Sequence, residues 1–184
     1  TVNGLRDRAA TANEITPGSS ANFTAFLKGV YRQVFADLSG SQITDLTNAA
    51  TYPNFPLMAE VLTNDLSTPA WPTNNYGQRL RATLLAPVTG LYRLQIASHD
   101  SATLYLGTNA SSTSARTPTA YVTTASDASA GQYLVQTNQT SALLPLVAGQ
   151  QYYLQVLMKS GLSVQSPPDH FSLRWTLPDG TVED

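Results

Sequence analysis

The sequence predicts an all-β domain, an antiparallel β-sandwich with one short helix and a long proline-rich loop. Three observations carry that prediction. Short runs alternate apolar and polar residues with a period of two. Turn residues separate those runs about every 8–12 residues. Helical periodicity is confined to one short stretch. A chain of 184 residues is long enough for one domain with a sizeable core.

The elements are read in order. Residues 1–27 carry little pattern, and TANEITPGSSANFT reads as a linker or N-terminal extension, so the domain is placed over 28–184. Val30 to Phe35 is the first strand. Ser41 to Asn48 suits one or two helical turns, with Ser41 as the cap and Asp45 in the first turn. Pro53, Pro56, Pro69 and Pro72 exclude a central strand between Thr51 and Asn75, which leaves a long loop with one short element at Met58 to Leu62. Leu80, Ala82 and Leu84 then alternate with arginines and a threonine. Tyr92, Leu94 and Ile96 form the next alternating run, and Ala102, Leu104 and Leu106 the one after. Pro87 to Gly90 and His99-Asp100-Ser101 are the turns between them. A strand is expected at Thr119 to Thr124 and another at Leu143 to Val147. Tyr152 to Met158 and Phe171 to Leu177 complete the set.

Composition narrows the function classes. Charged residues are 12% of the chain, about half the usual share. Serine and threonine number 40, so neutral hydroxyls stand where charges usually do. That balance suits an extracellular β module. The net charge is −2 and the ten cations are scattered, which argues against nucleic acid and against anionic lipid. There is no cysteine, so disulfides and thiolate chemistry are excluded; a secreted, cysteine-free domain fits a bacterial source. No apolar run is long enough to span a membrane. The chain starts at Thr1 without a visible signal peptide and reads as a piece of a longer polypeptide. N-x-S/T sequons at Asn22, Asn109 and Asn138 matter only in a eukaryotic secretory pathway.

Four segments, in order, resemble the PA14 family. They are Val30-Tyr31-Arg32-Gln33-Val34-Phe35, the run from Gly90 through His99-Asp100 to Leu106, the run Leu146-Val147-Ala148-Gly149-Gln150-Gln151-Tyr152-Tyr153-Leu154, and Asp169-His170-Phe171-Ser172-Leu173-Arg174-Trp175. The second and third resemble the family's central hairpin and its L-x-A-G-x-x-Y-x-I hairpin. The likeness covers residues 29–180. It implies a β-sandwich carried by secreted glycosidases, adhesins, toxins and surface proteins. In the adhesin members an Asp-Asp pair joined by a cis peptide binds calcium, which in turn holds sugar hydroxyls. A second loop, before the closing strand, adds ligands.

Here the first loop reads Ser98-His99-Asp100-Ser101, so His99 stands where the resemblance asks for an aspartate. Calcium prefers six to eight oxygen ligands. The resemblance therefore implies calcium with Asp100 and Asp169 as its carboxylates, and His99 weakens that implication. Asp100 reads either as an acceptor for calcium or a sugar hydroxyl, or as a turn carboxylate capping backbone N–H groups. Asp169 carries the same alternative. The second loop, Lys159 to His170, is long and proline-rich, and offers Ser160, Ser163 and Gln165. Trp175 lies on an apolar strand face and reads as core. Trp71, between prolines, is a candidate platform for a sugar ring. The ligand-binding candidates are thus His99, Asp100, Ser101, Ser160, Gln165, Asp169 and Trp71.

No G-x-S-x-G, H-E-x-x-H or phosphate-binding glycine loop occurs, and no carboxylate pair has a catalytic context. The expected function is a non-catalytic, lectin-like carbohydrate-binding or adhesion module of a secreted or cell-surface protein. Its partners would be a glycan or polysaccharide and other domains of the same polypeptide. The alternative is a structural spacer or protein-interaction domain without a sugar site.

Overall fold

The structure is a computed structural model and describes residues 29–63, 66–69, 71–115, 117–123, 131–161 and 169–183. The expected linker over 1–27 lies outside the described residues. The strands are β1 (Val30–Phe35), β2 (Met58–Leu62), β3 (Gly77–Leu85), β4 (Gly90–Ser98), β5 (Ser101–Leu106), β6 (Pro118–Val122), β7 (Leu144–Leu146), β8 (Gln151–Lys159), β9 (Phe171–Thr176) and β10 (Val182–Glu183); helix α1 spans Ile43–Thr47. A six-stranded sheet has the order β2-β1-β3-β8-β5-β6, and a four-stranded sheet has the order β10-β9-β4-β7. Every pairing is antiparallel.

The core lies between the sheets. Leu80, Leu104, Val156 and Met158 of the larger sheet pack with Leu94, Ile96, Phe171 and Leu173 of the smaller. This is the interdigitation that period-two strands produce when two sheets stack face to face. Trp175 stacks on Tyr92 with ring centroids 5.2 Å apart, at the edge of that core. The long proline-rich segment contributes only the edge strand β2, as the ban on proline in central strands requires. Helix α1 covers part of the outer face of the larger sheet, where Leu46 packs with Phe35 and Leu157. Its cap is Gln42, one residue beyond the expected Ser41. Asp45 Oδ2 accepts from the Gln42 N–H at 2.9 Å, so the first-turn carboxylate closes the helix start.

Two expected hairpins are sheet-to-sheet crossings. β4 pairs with β7 and β9, whereas β5 pairs with β6 and β8, so the His99–Asp100 turn carries the chain from one sheet to the other. The turn at Ala148–Gly149 likewise joins β7 of the smaller sheet to β8 of the larger. The burial pattern gives the reason for the first crossing. Every residue from Leu94 to Leu104 is buried. A hairpin with one wet face would alternate instead.

Phe171 is fully buried at the centre of this packing. Phe171→Ala is expected to lower unfolding stability by about 3–5 kcal/mol, measured by urea denaturation. A loss below about 1 kcal/mol, ordinary for a surface change, would contradict the packing described.

Candidate functional site

The site follows from strand register. Ser98 on β4 pairs with Phe171 on β9, and Ser101 on β5 pairs with Lys159 on β8. The described residues beyond these four positions are the 99–100 turn, which crosses between the sheets, and residues 160–161 and 169–170, all at the same tip. The His99 N–H donates to the His170 carbonyl at 3.4 Å, which ties one crossing to the other. The peptide between His99 and Asp100 is trans, since the cis bond among the described residues is Tyr52–Pro53.

The tip is buttressed from outside. Thr68 binds both backbone groups of Phe171: its N–H donates to the Phe171 carbonyl at 2.8 Å, and its Oγ1 accepts from the Phe171 N–H at 2.9 Å. Lys159 is fully buried, and its ammonium donates to the carbonyls of Leu38, Gly40 and Ser160 at 2.6–2.7 Å. A buried ammonium is tolerated only with such partners. Burial pushes its pKa down, while Asp45, Asp100 and Asp169 act in the opposite direction.

Inside this frame His99, Asp100 and Asp169 form one buried cluster whose ligating atoms all lie within 4.8 Å of one another. His99 Nδ1 is 3.2 Å from Asp169 Oδ1 and 3.7 Å from Asp100 Oδ2. The ligating oxygens of the two carboxyls lie within 4.8 Å of each other, and both Asp169 and the Ser160 hydroxyl act on Asp100. Asp100 Oδ2 is buried with no hydrogen-bond partner among the described residues. Burial raises the Asp100 pKa to about 6, with the hydrogen bond to Asp169 and its charge adding to the rise. The Tyr76 hydroxyl bonds Asp169, and burial, then that carboxylate, pushes its pKa up.

Of the candidates read from the sequence, four meet here: His99, Asp100, Asp169 and Ser160. Ser101 is buried, but its hydroxyl donates to the Thr123 carbonyl at 2.7 Å, toward β6. Gln165 and Ser163 lie outside the described residues. Trp71 is half-buried. Its ring lies 5.9 Å from that of Tyr76, with the Arg32 guanidinium 5.7 Å from its centroid. Among the described residues, Tyr76 is the ring contact that links it to the cluster. Tyr76 and Lys159 are site residues that sequence reasoning missed. The available signal for Lys159 was a charge ending the apolar run Val156-Leu157-Met158.

Beside the tip, on the outer face of the larger sheet, lies a groove of about 180 Å³. Ile43, Thr44, Ser101, Thr103, Tyr121 and Thr123 line it. Tyr121 is 36% exposed, and no charged group takes part in the lining.

A family model described as the PA14 domain matches residues 29–184. The chain belongs to the PA14 family. Solved structures share the sandwich at low identity. The Epithelial Adhesin 9 A domain from Candida glabrata, in complex with Galβ1-4GlcNAc, is 12% identical with a TM-score of 0.56 over 84% of each chain. The PA14 domain of the MpAFP antifreeze protein is 11% identical with a TM-score of 0.55 over 89% of each chain. An anti-sigma factor domain-containing protein from Clostridium clariflavum is 13% identical with a TM-score of 0.53, over 96% of this chain and 54% of that one. At these identities the likeness is one of fold. No curated protein matches the sequence.

The raised Asp100 pKa has a pH consequence. The folded state holds the Asp100 proton more tightly than the unfolded chain, whose carboxyl titrates near 3.8. This contribution to stability is therefore full below 3.8 and is lost as pH rises through about 6. Chelator-treated protein should melt at lower temperature as pH rises across that window, and Asp100→Asn should flatten the profile. Identical profiles for both proteins would contradict the shared pocket of Asp100 with Asp169, His99 and Lys159.

Proposed function

We propose that this PA14 domain is a non-catalytic carbohydrate-binding module of a secreted or cell-surface protein, and that it takes its glycan at the tip where His99, Asp100 and Asp169 meet. The observation that carries the reading is the meeting of Asp100 and Asp169 in one buried cluster beside a neutral, hydroxyl-lined groove. Carboxylates are strong acceptors for sugar hydroxyls. An exposed tyrosine ring offers a flat surface for the C–H face of a pyranose. Tyr121, Thr44 and Thr123 would then hold the part of the glycan that extends away from the cluster. Adhesin domains of the same fold have been solved with Galβ1-4GlcNAc and Galβ1-3GlcNAc, which supports a sugar as the ligand class.

The geometry of the acids supports binding rather than cleavage. Glycoside hydrolysis uses two carboxyls about 5–9.5 Å apart, one on each side of the bond. The ligating oxygens of Asp100 and Asp169 lie within 4.8 Å of each other and both side chains are buried, which leaves no room for a glycosidic bond between them.

The second reading, a spacer or protein-interaction domain, is favoured by one observation: the His99 imidazole already pairs with the Asp169 carboxylate, Nδ1 to Oδ1 at 3.2 Å, so part of the cluster is engaged without a ligand. A glycan array separates the two. Wild-type protein should bind a defined glycan subset, and Asp100→Ala should lose at least about tenfold in affinity, the scale of a charge-assisted hydrogen bond. Tyr121→Ala should weaken binding about fivefold, as expected for one aromatic contact. A folded wild-type domain that binds no glycan would favour the spacer.

A further inference from the structure

The cluster that the glycan reading uses also has the makings of a metal site, and its donors are not those calcium selects. Calcium takes six to eight oxygens in a flexible shell and is held largely by charge. The described donors are one imidazole nitrogen and two carboxylates, all three buried. Lys159 adds a fixed positive charge that acts on Asp100 and Asp169. It leaves the site one negative charge short of neutralising a divalent ion. A purely ionic site suffers most from that ammonium. An ion that gains donor bonding from imidazole suffers less.

We propose that His99, Asp100 and Asp169 form a zinc site and that His99 has moved the tip's selectivity away from calcium. The distances suit a small ion. Zinc bonds of about 2.0–2.1 Å at tetrahedral angles set neighbouring ligands about 3.3–3.4 Å apart. The separations from His99 Nδ1, 3.2 and 3.7 Å, bracket that value, and all three ligating atoms lie within 4.8 Å of one another. Distance alone would also admit calcium, so donor type decides. A second observation points independently to a missing partner. Asp100 is only 3% exposed, and its Oδ2 faces the imidazole with no hydrogen-bond partner among the described residues. An unsatisfied buried carboxylate oxygen costs free energy that a bound cation recovers. Zinc at this point would use Nδ1 as the unprotonated nitrogen, with the ring proton on Nε2. Three protein ligands leave a fourth position for water or a hydroxyl. The peptide joining His99 to Asp100 is trans, so the ligands meet without the cis Asp-Asp arrangement that the adhesin resemblance implies.

The proposal shares its location with the glycan reading and does not depend on it. The test is calorimetric titration of chelator-stripped protein with zinc chloride and, separately, with calcium chloride. Zinc should bind as a single equivalent, on the order of tenfold or more tighter than calcium. His99→Asp should reverse that order. Cobalt(II) bound to the wild-type protein should give the intense visible absorption of a tetrahedral site, and zinc should quench it. That readout does not require a variant to fold. Calcium binding as tight as zinc, zinc affinity unchanged in His99→Asp, or a purely octahedral cobalt spectrum would each overturn the proposal. Glycan binding by protein that takes up no zinc would overturn this inference alone. Zinc binding by protein that takes up no glycan would overturn the functional reading alone.

Discussion

The tip depends on a constraint of topology: two strand pairs from different sheets end at the same level. β4 with β9, and β5 with β8, bring Ser98 opposite Phe171 and Ser101 opposite Lys159. The chain must leave one sheet and enter the other at both places, so two segments distant in sequence cross side by side. A slip of one residue in either pair would send the core side chains of that strand to the wrong face. The register that builds the hydrophobic core therefore also places Asp100 against Asp169. The cluster at the tip is held by the same contacts that make the fold stable.

Gathering acids in such a place has a cost, and the structure shows how it is met. Two carboxyls are buried together, where like charges and low dielectric both oppose ionisation. A polar chain runs back from them. Tyr76 holds Asp169, Gln78 donates to the Tyr76 hydroxyl at 3.3 Å, and the buried Arg32 donates to Gln78 and pairs with Glu60 at 2.7 Å. From the other side Lys159 fastens the 38–40 segment to the tip through the carbonyls of Leu38 and Gly40, and also donates to that of Ser160. Networks of this kind are stable only when nearly every member is satisfied. Asp100 Oδ2 is an oxygen of the cluster without a hydrogen-bond partner among the described residues.

Much of the sandwich was legible in the sequence. Val30–Phe35 and Met58–Leu62 are strands with the boundaries expected of them, the alternating runs at 92–96 and 152–158 lie in strands as read, and the run read as Phe171 to Leu177 is a strand that ends one residue earlier, at Thr176. Period two reports which residues face inward, because it is a property of the strand itself. It does not report which sheet a strand joins. For that reason His99–Asp100 and Ala148–Gly149 looked like hairpin turns. The same limit hid Tyr76 and Lys159, which look like ordinary residues at strand ends until pairing brings them to the tip. Trp71 looked like an exposed platform because its proline neighbours give no hint of the Arg32 and Tyr76 contacts that enclose it. Asp100 and Asp169 were found through resemblance to a family motif, and register explains why the two parts of that motif meet.

The central claim is that positions 100 and 169, on separate crossings, share one pocket. A double-mutant cycle on unfolding stability tests it without any ligand. Asp100→Asn, Asp169→Asn and the double variant would be compared by chemical denaturation near neutral pH. Residues in direct contact should show a coupling energy of about 0.5–3 kcal/mol. Single-variant effects that add to within about 0.3 kcal/mol, as they do for distant independent sites, would contradict the meeting of the two carboxyls.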